Sequence, residues 1–343
     1  MDKENISKYS EKYPPDFWCQ QGMQILNKPG AGSTRTKDRR FRSAFGVSWF
    51  VCSVIWKRLK EAQHNKNEAV KKMKPVHLFQ ALYFMRSYKS ENANASTFSC
   101  DEKTFRKWAW MVVHAIACLH SEVVRVNMFF MITCAVSIYP HARASHSFLL
   151  FLQITLDTRY KADKGNDCLL SVDCVDMEIL EVWPFRQSVS PIWFGHKFHG
   201  PGVRYEIALV ILTGDVAWIN GPFPCGQFND LSIFRDLGLL SHLDKNERVE
   251  ADNGYLALDP EYIKCAMGLH HPDENEQMRK RVMGRQETIN KRLKDWGCMS
   301  QKFIHCVNKH SDCFRAVMVI LQLSIEEGEE LFSCPYDDDH YKN

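Results

Sequence analysis

The segment LLSVDCVDMEI, residues 169–179, constrains this chain more than any other. Leu169, Val172, Val175, Met177 and Ile179 form an apolar run with the length and composition of a buried strand. Asp173 and Asp176 stand inside it. An unpaired carboxylate in such a place costs on the order of several kcal/mol. A fold that accepts this strand must therefore turn the acids outward from an edge, or give them partners. Divalent metal shared with carboxylates from further along the chain is the partner that answers the second case.

The periodicity divides the chain near residue 165. Before it, the pattern is helical. Residues 1–44 (MDKENISKYSEKYPPDF and onward) are polar, turn-rich and partly basic, and read as a flexible arm. Ser48 is placed to cap a helix in which Phe50, Val51, Val54, Ile55 and Leu59 recur at helical spacing. KPVHLFQALYFMRSY (74–88) and DEKTFRKWAWMVVHAIACLH (101–120) follow as amphipathic helices, separated by the polar KSENANAST. Helix, break and helix with basic and aromatic residues near its start is the outline of a helix-turn-helix, shared with plain helical bundles. Lys103, Arg106 and Lys107 then lie where a recognition helix meets DNA, or are solvent-facing charges.

After residue 165 strands appear. CLLSVDCVDMEI is one; YEIALVIL (205–212) and VAWINGPF (216–223) pair as a hairpin through Gly214-Asp215. NDLSIFRDLGLLSHL (229–243) reads as helix, and ERVEADNGYLA (247–257) as strand ending at Asn253-Gly254. Residues 274–296 and 313–328 close the pattern as helices. This order predicts a mixed α/β domain.

Bulk properties set the class. With 343 residues, 45% hydrophobic and 12% aromatic, the chain can bury a core and has room for roughly two domains of about 100–200 residues. Net charge is only +3, but lysine and arginine concentrate in RTKDRRFR, KRLK, KKMK and RKRVMGR, a distribution that suits a phosphate-backbone partner or solvated faces. The thirteen cysteines make no CxxC pair, and the N-terminus has no apolar leader, so an intracellular, reducing setting is expected. NMFFMITCAVSIY (127–139) is too short to span a bilayer, so no membrane partner is expected.

Two more acids join the strand pair. Asp252 ends a strand in VEADNGY, and Glu287 lies in the helix GRQETINKRLKDW. If the two strands are neighbours and the helix packs over them, three acids converge. Converging carboxylates raise one another's pKa values or take cations between them. Magnesium suits oxygen ligands and keeps waters for phosphates. Each acid also has an ordinary reading: Asp252 as a turn residue before Asn-Gly, and Glu287 as a surface glutamate, since it projects away from the apolar stripe Val282, Ile289, Leu293 and Trp296.

The motifs SVDCVDMEI, KFHGPGVRYEIAL, INGPFPCGQFNDLSIFR, ADNGY and GRQETINKRLKDWG, in this order, resemble the PIF/Harbinger-type DDE superfamily endonucleases, which are transposases. The likeness covers roughly 154–335, with a looser match over 41–122. It implies an RNase H-like α/β domain of mixed sheet and flanking helices (154–335), preceded by a helix-turn-helix-like DNA-binding region (45–122). A catalytic, metal-binding triad of Asp173, Asp252 and Glu287 is implied, with Asp230 as the alternative second acid. Asp230 opens a helix, where a capping role needs no metal. The implied cofactors are two Mg2+ or Mn2+ ions, one activating water or a 3′-hydroxyl and the other stabilising the leaving oxygen in DNA cleavage and joining. Lys197, Arg204, Lys291 and Lys294 are candidate DNA-phosphate contacts. Double-stranded DNA, a homo-oligomer or a separate DNA-binding partner protein, and the nucleus follow from the same likeness.

Two features depart from that pattern. Cys174 stands where the family has glycine, a side chain expected to crowd the metal site. Residues 123–153 match nothing in the family and read as an apolar insertion; 336–343 is a tail. The alternative reading is therefore a transposase-derived DNA-binding protein without catalysis. A zinc site on Cys306, His310 and Cys313, with Cys298 or His305, is a third possibility, although no standard zinc spacing matches.

Overall fold

A computed structural model describes residues 12–28, 32–62, 71–123, 168–180, 191–243, 247–258, 261–265 and 273–334. The apolar stretch 127–139, almost all of the 123–153 insertion and the tail lie outside these residues. Among the described residues no helix is long and apolar enough to cross a membrane. The chain divides into two compact units. One comprises residues up to Val123 with Met177–Val189 and Lys291–Glu330; the other comprises Val124–Asp176, Ser190–Asn290 and Leu331–Asn343.

The first unit is helical. Among the described residues its longer elements include α1 (Pro15–Ile25), α2 (Thr34–Phe45), α3 (Trp49–Ala62), α4 (Pro75–Ser87), α5 (Glu91–Thr97) and α6 (Glu102–Cys118). The last turn of α7 (Asp273–Lys294) and all of α8 (Val307–Glu326) also belong to it. Local chemistry sets the boundaries. Ser33 and Asp101 cap α2 and α6 by accepting from Thr36 N and Thr104 N, and Ser48 does the same for Val51 N. Gly46 ends α2 in the left-handed region at φ 78°, which glycine adopts without penalty.

Residues 12–28 and 32–45 are not a free arm. Trp18 on α1 is fully buried, with its ring 5.6 Å from Trp56 and 5.4 Å from Phe79. Phe41 and Phe45 on α2, spaced i, i+4, are equally buried and meet Phe79 at 6.0 and 4.8 Å. The many arginines of RTKDRRFR occupy the other face of the same helix and hide its apolar stripe from a compositional reading. The supposed polar loop before α6 is also ordered. Ser90 caps α5, and the buried Asn94 donates to Lys89 O. A helix-turn-helix needs a turn of about 3–4 residues; here α5 fills the connection between α4 and α6, so these two do not form one. Helix α8 packs along α6 and α3, which moves the C-terminal helix from the expected 154–335 domain into the helical unit.

The second unit is built on a mixed, open sheet. Strands β1 (Cys168–Glu178), β2 (Phe194–Gly195), β3 (Gly200–Val210), β4 (Val216–Pro224), β5 (Arg248–Ala251) and β6 (Ile263–Cys265) run in the order β2-β3-β1-β5-β6, with β4 also paired to β3. The β3–β4 hairpin is antiparallel, with Ile207 opposite Ile219 and Ala208 opposite Trp218. Ile211 N, just past β3, donates to Leu169 O at the start of β1, so those neighbours run in opposite directions. Strands β5 and β6 run parallel to β1. The fold is thus mixed α/β, as expected.

The core collects Leu170, Val172, Ala208, Trp218 and Val249 from the strands, Tyr255 from the 3₁₀ turn after β5, and Phe234 and Leu239 from the loop beyond β4. That loop is not the expected single helix over 229–243. It is a short helical turn at Asp230–Ser232, a π-turn at Ile233–Leu237 and a 3₁₀ turn at Leu239–His242. Gly238 makes the break. A Cβ there would stand 2.4 Å from Glu206 Oε2, the oxygen that accepts from Trp218 Nε1 at 2.6 Å and Leu239 N at 3.1 Å. Strand β5 is likewise shorter than read from sequence, because Asp252 turns the chain immediately after Ala251.

Candidate acidic site

Strand β1 lies between β3 and β5, so its aspartates cannot be explained as outward residues of an edge strand. Each has a different answer to its burial. Asp176, with a side chain only 2% exposed, is clamped by Arg204 from β3: Nε reaches Oδ1 at 2.6 Å and Nη2 reaches Oδ2 at 3.0 Å. Lys197 Nζ adds its charge 3.5 Å from Oδ2. Burial pushes this carboxyl up, but the fork of Arg204 and the charge of Lys197 overrule it and hold Asp176 below the ordinary value.

Arg204 has little left to offer a phosphate. Besides Asp176 it donates to Phe228 O at 2.9 Å and lies 2.9 Å from Asp230 Oδ1. It is a half-buried internal clamp whose donors are committed within the fold rather than offered to a DNA phosphate. Lys197 is well exposed and remains open to solvent on that side.

Asp173 has no such cation. Its Oδ1 accepts from the neighbouring Cys174 N, and its Oδ2 accepts from Asn290 Nδ2, both at 2.8 Å. Burial comes first among the effects on it, followed by the negative charge of Asp252 and then, more weakly, Asp230. The Cys174 amide and Lys197 pull the other way, and the carboxyl is pushed up to about 7. Asp230 is raised too, by burial first, with Arg204 opposing and Asp176 and Asp252 adding.

Asp252 follows the last residue of β5, the parallel neighbour of β1. It is exposed, and its Oδ1 accepts from Gly254 N at 2.8 Å. A Cβ on Gly254 would lie 3.0 Å from Asp252 Oδ1 and 3.8 Å from Asp230 Oδ2. A side chain there would press on the Asp252 carboxylate, so glycine suits the turn that Asp252 makes. Asp230 is not the cap of its turn: Asn229 is, accepting from Ser232 N at 2.8 Å. Asp230 instead meets Arg204, with Oδ1 2.9 Å from Nη1, and its charge reaches Asp173 more weakly than that of Asp252.

No protein-family model, curated protein or solved structure matches this chain.

Glu287 is the member not drawn in. It is exposed on α7 and is not among the leading charges acting on Asp173 or Asp230. It stands one turn from Asn290, so the two Cβ atoms are about 5–6 Å apart. The residues that α7 turns inward are Gln286 and Asn290, spaced i, i+4. Gln286 accepts from Ser171 Oγ and donates to Ile207 O, both at 3.0 Å, while Asn290 holds Asp173. Both went unnoticed in sequence. Their signal was a pair of amides adjoining the apolar stripe of Val282, Ile289 and Leu293. Lys291 and Lys294 are exposed on the following turn.

Among the described residues no three His, Cys, Asp or Glu side chains are grouped as ligands of one ion. By chemistry, carboxylate oxygens are nonetheless hard-cation donors, and the Asp173 carboxyl is lifted by its burial first and by the charge of Asp252 second. Cys174 does not crowd them. It alternates to the other face of β1, where Tyr255 Oη donates to its sulfur at 3.4 Å in the core.

The remaining expected contacts are distributed differently. Arg106 pairs with Glu91, and Lys107 lies 5.7 Å from the Trp108 ring, while Lys103 is exposed. In the run RKRVMGR, Arg279 and Arg285 are buried: Arg279 bonds Glu250 at 2.9 Å, and Arg285 donates to Phe332 O at 2.6 Å and to Ile211 O. Those two arginines are internal, not part of a phosphate-binding face. Cys306 is exposed whereas His310 and Cys313 are fully buried, so the zinc arrangement does not form. Burial holds His310 neutral, pushed down to about 3, against the Phe303 ring.

Proposed function

We propose that this chain is a divalent-metal-dependent DNA endonuclease of the transposase type, with an RNase H-like catalytic unit and a nuclear site of action. The observation that carries the reading is the placement of Asp173, mid-way along the central strand, beside Asp252, which directly follows the parallel strand next to it. Strand order supports it as well: antiparallel neighbours on one side of β1 and parallel neighbours on the other are what an RNase H-like sheet would have.

Asp173 and Asp252 would hold the metal, with Asp230 beside them and Glu287 one turn from Asn290. Bound metal supplies a nucleophile at neutral pH and charge stabilisation at the phosphoryl oxygens. The chain's own residues do the rest. Asn290 fixes the orientation of Asp173, and Arg204 keeps Asp176 ionised yet out of the ligand set. Lys197 stands exposed at the edge, placed to meet a phosphate.

The exposure of Glu287, and the donors already on both oxygens of Asp173, favour one second reading: a transposase-derived DNA-binding protein without catalysis. A nicking assay on supercoiled DNA with Mg2+ or Mn2+ separates the two. Cleavage lost in Asp173→Ala and Asp252→Ala supports the enzyme. DNA binding with no cleavage in either metal supports the second reading and overturns the first.

A further inference from the structure

The helical unit holds a cleft unrelated to the acids. It has a volume of about 490 Å³ and opens among the end of α1, the outer face of α2 and the end of α4. Lys28, Arg39, Arg40, Arg86 and Lys89 line it, and among the described residues on its wall none is acidic. The sequence separates these cations widely; the fold gathers them. Phe41 and Phe45 anchor the inner face of α2, which turns Arg39 and Arg40 to the cleft. Arg42, on the same helix, is neutralised by Asp38 and Glu329, each at 2.6 Å. Arg86 is steadied through its bond to Asp295 O. Lys28, Arg39 and Lys89 are exposed and form no ion pair among the described residues.

Five cations around one concavity, without an acid among them, raise the local concentration of anions. Their spread matters as much as their number. They come from three helix ends and faces around an open cleft of about 490 Å³, which suits a chain of phosphates better than a single small anion. Tyr83 sits on the rim and continues into an adjoining groove of about 590 Å³, where Phe98 lies 5.6 Å away. Aromatic rings beside a basic track are the equipment of strand-binding surfaces.

We propose that this cleft seats the phosphodiester backbone of a nucleic-acid strand, in place of the face around Lys103, Arg106 and Lys107. The inference does not need the catalytic reading, because it uses only the helical unit and is tested without metal. Fluorescence anisotropy of the full chain with labelled single-stranded and duplex oligonucleotides, in EDTA, over a range of salt, reads it directly. The variant Lys28→Gln/Arg39→Gln/Lys89→Gln changes only exposed side chains. It should weaken binding at least roughly ten-fold and lower the salt slope by about 2–3, as expected for three lost phosphate contacts. Lys103→Gln/Lys107→Gln should leave the affinity within about two-fold. Binding that is absent, binding unmoved by the cleft variant at unchanged melting temperature, or binding displaced equally well by polyglutamate or inorganic phosphate would overturn the proposal.

Discussion

Replacing Asp173 by asparagine should make the protein more stable, and only at higher pH. The carboxyl is pushed from its ordinary 3.8 to about 7 by burial and by Asp252. At about 1.36 kcal/mol per pH unit this is roughly 4 kcal/mol, and screening at a partly open site brings it to about 2–3. In the folded state Asp173 binds more protons than in the unfolded chain between roughly pH 4 and 7. Stability is therefore lost as pH rises through that window and stays lower above it. Asparagine escapes this cost. Its carbonyl can accept from Cys174 N, and once the Asn290 amide turns over its amide can donate to Asn290 Oδ1, which is buried without a partner in the native protein. Glu206, also raised to about 7 by its burial, contributes equally to both proteins and cancels. Urea unfolding in EDTA at pH 4, 6 and 8 should show the variant level with the native protein at pH 4 and about 2–3 kcal/mol more stable at pH 8. A gap that does not change with pH, or an asparagine variant that is the weaker at pH 8, refutes the reasoning.

Other perturbations follow from the same contacts. Arg204→Met strands Asp176 in the core and should cost about 3 kcal/mol; Arg204→Lys should recover less than half of this in urea unfolding, since an ammonium cannot reproduce the fork. Trp18→Ala should cost about 3–5 kcal/mol by thermal melting, as for any large buried aromatic. A loss under about 1 kcal/mol would return residues 12–28 to the status of an arm.

The elements of regular periodicity were readable in the residues themselves. Ser48 marks the start of α3, the amphipathic segments 74–88 and 101–120 begin close to where α4 and α6 begin, and Gly214-Asp215 marks the hairpin. What misled was chemistry masked by composition. Arginines hid the Phe41/Phe45 stripe of α2, and a run of polar residues hid the caps of α5. Gly238 looked tolerable inside a helix until Glu206 came to occupy the place of its missing side chain. The acids fared similarly. That Asp173 needed a compensating environment was evident from its neighbours in the chain. That Arg204 would spend itself on Asp176, and that Asn290 would hold Asp173, was not.

The sequence by itself determined that this is a mixed α/β chain with a carboxylate set into its main strand. Side-chain periodicity and the cost of burying charge are local or nearly local facts, carried by residues a few positions apart. Tertiary structure alone decided which charges meet: Asp252 and Asp230 beside Asp173, Glu287 outside the group, and five cations from three helices around one cleft. Coulombic interaction depends on separation in space and on exposure to water, and neither is written in the order of residues.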